Sequence, residues 1–118
     1  MQDTNRSDLV RAYLGAYESE NRVVAEQLLD EKFRFTSPND DAIDRATYFE
    51  RCWPHDEPAR DHKIEKIVAD GDKAFVTYSC ATGNGRSFRN TEFFTFIGDR
   101  IASVDVYFGP AYRNGLML

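Results

Sequence analysis

The sequence predicts an α+β domain in which helices pack on one face of a long, curved antiparallel sheet. The front half, from Asp8 to Leu29, has apolar residues at helical spacing. The back half, from His62 to Gly109, alternates in side-chain character and is divided by turn signals at 70–72, 83–85 and 98–99. Helices followed by a run of strands are typical of the α+β class.

The front half divides into three helices and one short strand. Ser7 or Asp8 caps a first helix, whose apolar stripe consists of Leu9, Val10, Tyr13, Leu14 and Tyr17. A short second helix covers 23–28, and 32–36 alternates as a strand before Ser37 and Pro38. A polar turn at 39–41 leads to Asp44, which caps a third helix over 45–53 that ends at Pro54. The inward face of this third helix consists of Tyr48, Phe49 and Cys52.

Residue parity in the back half assigns the two faces of the sheet. Because alternate residues of a strand share a face, the inward residues are Val76, Tyr78, Cys80, Asn90, Glu92, Phe94, Phe96, Val104, Val106 and Phe108. Glu92 therefore points inward, where a carboxylate without a partner is costly. This makes Glu92 the strongest candidate for a functional group. The alternative is a buried ion pair with Arg60, Arg89 or another arginine.

The opposite parity places Phe75, Phe93 and Tyr107 on the outer face of the sheet. Nothing else in the chain is left to cover these aromatic rings, and an exposed patch of this kind marks an interface. We therefore expect a homodimer formed through this face, with the same patch on both subunits.

Length and composition restrict the classes of function. A chain of 118 residues with no linker-like stretch is one domain, 1–118. Its formal net charge of −5 argues against nucleic acid as a partner. No apolar run reaches membrane-spanning length, so we expect no membrane partner and a cytoplasmic location. Cys52 and Cys80 are expected core residues, and no phosphate loop or metal motif is present, so no cofactor is expected.

Four segments carry a resemblance to a known family: LVRAYLGAY, FRFTSP, IVADGDKAFVTYS and TEFFTFIGDRIASVDVYFG. In this order and spacing the chain resembles the nuclear transport factor 2-like (NTF2-like) superfamily, in the branch of ketosteroid isomerase and the SnoaL-like polyketide cyclases. The resemblance implies a cone-shaped sheet that, with three N-terminal helices, encloses a pocket. It also points to a dimer.

The resemblance also implies roles for individual residues. The oxyanion-hole tyrosine of the isomerase falls on Tyr13, and its oxyanion-hole acid falls on Glu92. Its general base, an aspartate before a proline, falls on Ser37, and serine cannot abstract a proton as a carboxylate does. Asp41, His62 or Glu92 could serve as the base, and the sequence does not choose among them.

The expected function is therefore cofactor-free acid/base isomerisation, cyclisation or dehydration of a small hydrophobic carbonyl compound. The alternative is a non-catalytic small-ligand-binding or dimeric scaffold domain of the same fold. The residues expected to form the pocket walls are Phe35, Ser37, Phe49, Trp53, Tyr78, Asn90, Phe94, Val106 and Phe108. For the apolar residues among them, packing in the core would explain the inward position equally well. Tyr13 likewise has an alternative as a core tyrosine on the stripe of the first helix.

Overall fold

A computed structural model describes residues 5–53, 60–82 and 85–118, except for the side chains of 60 and 61. The helices are α1 (Arg6–Glu18), α2 (Arg22–Leu28) and α3 (Arg45–Cys52). The strands are β1 (Leu29–Ser37), β2 (Asp40–Asp44), β3 (Arg60–Asp70), β4 (Lys73–Ala81), β5 (Ser87–Ile97), β6 (Arg100–Arg113) and β7 (Leu116–Met117). The expected helix stop at Pro54, most of the loop that follows it and the turn at 83–84 lie outside the described residues.

The strands form one curved, unclosed sheet in the order β2-β1-β6-β5-β4-β3, with β7 paired to β6. The expected meander from β3 to β6 is antiparallel throughout. The sheet as a whole is mixed rather than purely antiparallel, because β1 pairs with β6 in parallel. The turn expected at 39–41 is shorter in the structure, because residues 40–44 form β2, an edge strand antiparallel to β1.

The parity prediction for the back half is confirmed in β4 and β5. Their buried residues alternate along the chain and are Ala74, Val76, Tyr78, Cys80, Asn90, Glu92, Phe94 and Phe96. The side chains of α1 and α3 complete the core against this face, where Val10 and Tyr48 are almost wholly buried. Phe108 departs from the expectation, because it is 53% exposed near the open end of the sheet.

Side-chain caps set the beginnings of the helices. Asp44 accepts a hydrogen bond from the backbone N–H of Thr47 at 2.9 Å, which confirms it as the cap of α3. The cap of α1 is Asn5 rather than Ser7 or Asp8, because its side-chain oxygen accepts from the backbone N–H of Ser7 at 2.8 Å. Asparagine is as good a cap as serine or aspartate, so the helix begins directly after Asn5, the first of the three candidate caps along the chain.

The outer face of the sheet carries the expected aromatic patch. Phe75 and Tyr107 are 49% and 60% exposed, and Phe93 is partly buried. The rings of Phe75 and Phe93, opposite each other on β4 and β5, lie 4.6 Å apart. None of the helices in the described part of the chain is long and apolar enough to cross a membrane.

Candidate functional site

A cavity of about 340 Å³ lies between α1, α3 and the inner face of the sheet. Nine residues expected at a site line it: Tyr13, Phe35, Ser37, His62, Tyr78, Asn90, Glu92, Val106 and Phe108. Seven more lining residues were not expected there: Leu14, Tyr17, Asn39, Asp40, Tyr48, Arg51 and Cys52. The cavity is therefore apolar at some walls and polar at others, with a carboxyl group at its inner wall.

Glu92 stands in this inner wall with 5% of its surface exposed. Its Oε2 accepts a hydrogen bond from the hydroxyl of Tyr78, and its Oε1 has no hydrogen-bond partner among the described residues. Arg89, one of the arginines considered as a partner, instead binds Glu65 at 2.9 Å, and the side chain of Arg60 lies outside the described residues. Burial raises the pKa of Glu92 from 4.5 to about 7, although the bond from Tyr78 opposes the rise.

Asn90 fixes the direction of the bond between Tyr78 and Glu92. The backbone N–H of Gly109 donates to Asn90 Oδ1 at 3.3 Å, so the amide nitrogen of Asn90 faces Tyr78 and donates to its hydroxyl oxygen at 3.2 Å. The hydroxyl proton of Tyr78 is thereby left for Glu92. Residue 109 must be glycine for this approach, because a Cβ there would lie 2.1 Å from the backbone oxygen of Arg89.

A second polar pair joins the two helices at the cavity. The hydroxyls of Tyr13 on α1 and Tyr48 on α3 are 2.6 Å apart. Burial raises the pKa of both phenols well above the ordinary value of 10, so both remain protonated. One of the two protons makes the bond between them, which leaves the other for a ligand atom. The structure thus places Tyr13 in the same cavity as Glu92, but bonded to Tyr48.

His62 lines the cavity near the beginning of β3. Glu18 Oε1, at the end of α1, accepts from the backbone N–H of His62 and lies 2.7 Å from its Nδ1. The bond from the backbone is the main cause of the lowered pKa of Glu18, which keeps this carboxyl ionised. The imidazole also packs against Tyr78, with ring centroids 5.0 Å apart.

In the wall formed by β1, β2 and α3, Asp40 borders the cavity in place of Asp41, which was the expected site residue. Asp41 is exposed and does not line the cavity, whereas its neighbour Asp40 does. Asp40 Oδ2 accepts from the hydroxyl of Ser37 at 3.0 Å, and Arg51 lies 2.8 Å from Oδ1. Strand β2 turns Asp40 inward, where it is half-buried, and leaves Asp41 and Asp44 exposed, so Asp40 is the carboxylate of this strand that borders the cavity.

Three residues expected in the pocket walls lie outside the lining and belong to the core instead. Phe49, Trp53 and Phe94 are 2%, 4% and 0% exposed and do not border the cavity. They pack edge-on against Tyr48, Tyr17 and Tyr13, at centroid distances of 5.3–5.5 Å. These rings therefore support the tyrosines of the site from behind.

Of the residues that the sequence reasoning missed, Tyr48, Tyr17 and Leu14 carried a signal. Leu14 and Tyr17 were assigned to the apolar stripe of α1, and Tyr48 to the inward face of α3. The sequence did not show that these three side chains border the cavity. Cys52 was assigned to the core and borders the cavity. Among the described residues, no group of three or more histidine, cysteine, aspartate or glutamate side chains could hold a metal ion.

A second cavity of about 300 Å³ adjoins the first at the open end of the sheet. The two share Tyr17, Tyr78, Asn90 and Phe108, which form the boundary between them. This position explains the exposure of Phe108, since both of its sides border open space.

The chain belongs to the SnoaL-like domain family, whose model matches residues 10–104. This match confirms the resemblance inferred from the four sequence segments. No curated protein matches the chain.

Three solved structures show the same fold. An NTF2-like protein of unknown function from Cytophaga hutchinsonii is 24% identical over 92% of each chain, with a TM-score of 0.75. A proposed ketosteroid isomerase from Kribbella flavida is 23% identical over 90% of this chain and 78% of its own, with a TM-score of 0.73. An LEH-like epoxide hydrolase from M. tuberculosis is 21% identical over 86% of this chain and 80% of its own, with a TM-score of 0.70. At these identities the likeness establishes an NTF2-like fold and not an activity.

Proposed function

We propose that this protein is an enzyme that isomerises, cyclises or dehydrates a small carbonyl compound by acid/base chemistry without a cofactor. The observation that carries the proposal is the buried carboxyl of Glu92 in the cavity wall. One of its oxygens is held by Tyr78, and the other has no partner in the described part of the chain. Perturbed carboxyl groups in a cleft are characteristic of catalytic sites.

The raised pKa of Glu92 suits proton transfer in either direction. With a pKa of about 7, the acid and the carboxylate are both populated near neutral pH, which is where acid/base catalysis is most effective. Since Oε2 accepts from Tyr78, Oε1 carries the proton of the neutral acid. The neutral acid can donate this proton to a carbonyl oxygen, and the carboxylate can accept one.

The size and lining of the cavity indicate the class of substrate. A volume of about 340 Å³ corresponds to roughly eleven water-sized groups, at about 30 Å³ for each. Leu14, Phe35 and Val106 supply apolar surface for a compound of one or two rings. The spare hydroxyl proton of Tyr13 and Tyr48 offers a second donor for the oxygen of a ketone, enol or phenol, as an oxyanion hole does.

Exchange of carbon-bound hydrogen tests the proposal without knowledge of the natural reaction. Small cyclic ketones, including 3-cyclohexen-1-one, would be incubated with the protein in heavy water, and loss of the signals next to the carbonyl followed by proton NMR. We expect Glu92→Gln to lower the enzyme-dependent rate by about 10²-fold or more. The surface variant Glu65→Gln should retain the full rate. Absence of exchange with the wild type, together with retained binding of small phenols, would favour the non-catalytic ligand-binding alternative.

We also propose that the protein forms a homodimer through Phe75, Phe93 and Tyr107. The exposure of Phe75 and Tyr107 on one face supports this assignment, since large aromatic side chains are enriched at interfaces and depleted on free surfaces. The patch lies on the side of the sheet opposite the cavity, so each subunit would keep its own site.

A further inference from the structure

The site requires a base, and the wall that holds Ser37 does not supply a free one. The hydroxyl of Ser37 donates to Asp40, and Arg51 lies 2.8 Å from the same carboxylate. Each oxygen of this carboxylate is thus already engaged by a protein group, Oδ2 by the hydroxyl of Ser37 and Oδ1 by the guanidinium of Arg51. The base must therefore come from another part of the cavity.

His62 occupies a fixed position on a different wall. Its side chain is only 7% exposed, and its ring packs between Tyr17 and Tyr78, at centroid distances of 6.4 and 5.0 Å. Glu18 holds both the backbone N–H and the Nδ1 edge of this residue through one oxygen, at 2.7 Å in each case. Two bonds to one carboxylate and two ring contacts leave the imidazole little freedom to turn.

The contact with Glu18 determines which ring nitrogen can act as a base. The ionised carboxylate only accepts hydrogen bonds, so Nδ1 must carry a proton. In the neutral imidazole the lone pair is then at Nε2, on the opposite edge of the ring from Glu18. A carboxylate that binds one nitrogen of a histidine fixes the tautomer and the orientation of the ring.

We infer that His62 is the general base of this site and that Glu18 is its positioning residue. The inference rests on the proposed function and narrows the substrate to a carbonyl compound with an acidic hydrogen on the carbon next to the carbonyl. Tyr78 connects the two groups, because it packs on the ring of His62 and donates to Glu92. His62 and Glu92 therefore both contact Tyr78.

The proton transfers balance within the site. Nε2 of His62 removes the proton from the carbon, and the electron pair of that C–H bond becomes the double bond of an enol. The neutral acid of Glu92 gives its proton to the carbonyl oxygen in the same step. In the return step His62 gives its proton to a carbon of the enol and Glu92 recovers the proton from oxygen, so the protein ends unchanged.

The tautomer of His62 can be measured without any substrate. Nitrogen-15 NMR of the imidazole distinguishes the two neutral forms, and the variant His55→Asn, at a position outside the described residues, assigns the signals. We expect the Nδ1–H tautomer in the wild type and a change toward the Nε2–H tautomer in Glu18→Ala. Glu26→Ala is the matched control, because the side chains of Glu18 and Glu26 are both 40% exposed and the carboxylate of Glu26 is paired with the surface residue Arg22. An Nε2–H tautomer in the wild type would overturn the inference.

The exchange assay then separates this inference from the proposed function. We expect His62→Gln to lower the rate of exchange at least tenfold and Glu18→Ala to lower it to a smaller extent, while Glu26→Ala leaves it unchanged. If Glu92→Gln abolishes exchange and His62→Gln does not alter it, the base assignment is wrong and the proposed function stands. If the wild type shows no exchange, the proposed function fails, and the base assignment fails with it even where NMR shows the Nδ1–H tautomer.

Discussion

Replacing Glu92 with glutamine is expected to remove a pH-dependent loss of stability from the folded protein. In the fold the pKa of this carboxyl is raised from 4.5 to about 7 by burial. Between these two values the folded protein retains a proton that the unfolded chain releases. The free energy of unfolding of the wild type therefore falls as the pH rises through this window, and is unaffected by Glu92 below it.

The size of the effect follows from the same two values. The interval between 4.5 and about 7, at about 1.4 kcal/mol for each pH unit, corresponds to about 3 kcal/mol. Glutamine does not titrate, and its side-chain oxygen still accepts the hydrogen bond from Tyr78. Any cost of burying the amide is the same at every pH. The stability of Glu92→Gln relative to wild type should therefore rise by about 3 kcal/mol between about pH 4 and pH 8.

Urea denaturation of both proteins across this range measures the difference. Contributions from all other titrating groups are common to the two proteins and cancel. Glu65→Gln, which removes an exposed partner of Arg89, should show a difference that changes by no more than about 0.5 kcal/mol. A relative stability of Glu92→Gln that is constant with pH would show that the pKa of Glu92 is not raised in the folded protein. A relative stability that falls with rising pH would show that Glu92 belongs to an ion pair.

Three further variants test other parts of the structure. Tyr78→Phe removes the hydrogen bond that lowers the pKa of Glu92, so the midpoint of a carbon-13 titration of Glu92 should move to higher pH. A midpoint at or below that of the wild type would contradict the hydrogen bond between Tyr78 and Glu92. Gly109→Ala should lower the free energy of unfolding, measured in urea, by about 1–3 kcal/mol because of overpacking against Arg89. Gly15→Ala, with open space around it, should raise this free energy by about 1 kcal/mol. Equal effects of the two substitutions would exclude the close approach of residues 109 and 89. Phe93→Asp should convert a dimer to a monomer in light scattering, while Val23→Asp, at an exposed apolar residue of α2, should not; a wild-type monomer would contradict the interface.

The sequence predicts much of this fold because β4 and β5 alternate in burial along their length. Parity alone placed Tyr78, Asn90 and Glu92 on the inner face, where they lie side by side in the structure. The same rule failed for 39–41, because a polar edge strand that pairs on one side has little apolar alternation to reveal it. Reading this segment as a turn gave no reason to prefer Asp40 over Asp41.

The contacts that define the site could not be predicted in this way. Glu18 and His62 are 44 residues apart, and the bond between Tyr13 and Tyr48 spans 35 residues. Local patterns indicate that a side chain points inward, but not which side chain from another element it meets. Distances of this kind depend on how the helices are placed over the sheet.

A carbon-13 titration of the Glu92 carboxyl in the wild-type protein measures whether this group is the acid of the site, with Glu92→Gln used to assign the signal. The proposed chemistry requires a group that exchanges its proton near neutral pH, and we expect a midpoint close to 7. A midpoint at the ordinary value of 4.5 or lower would mean that Glu92 is solvated or paired with a cation, and would contradict its role as the acid of this site.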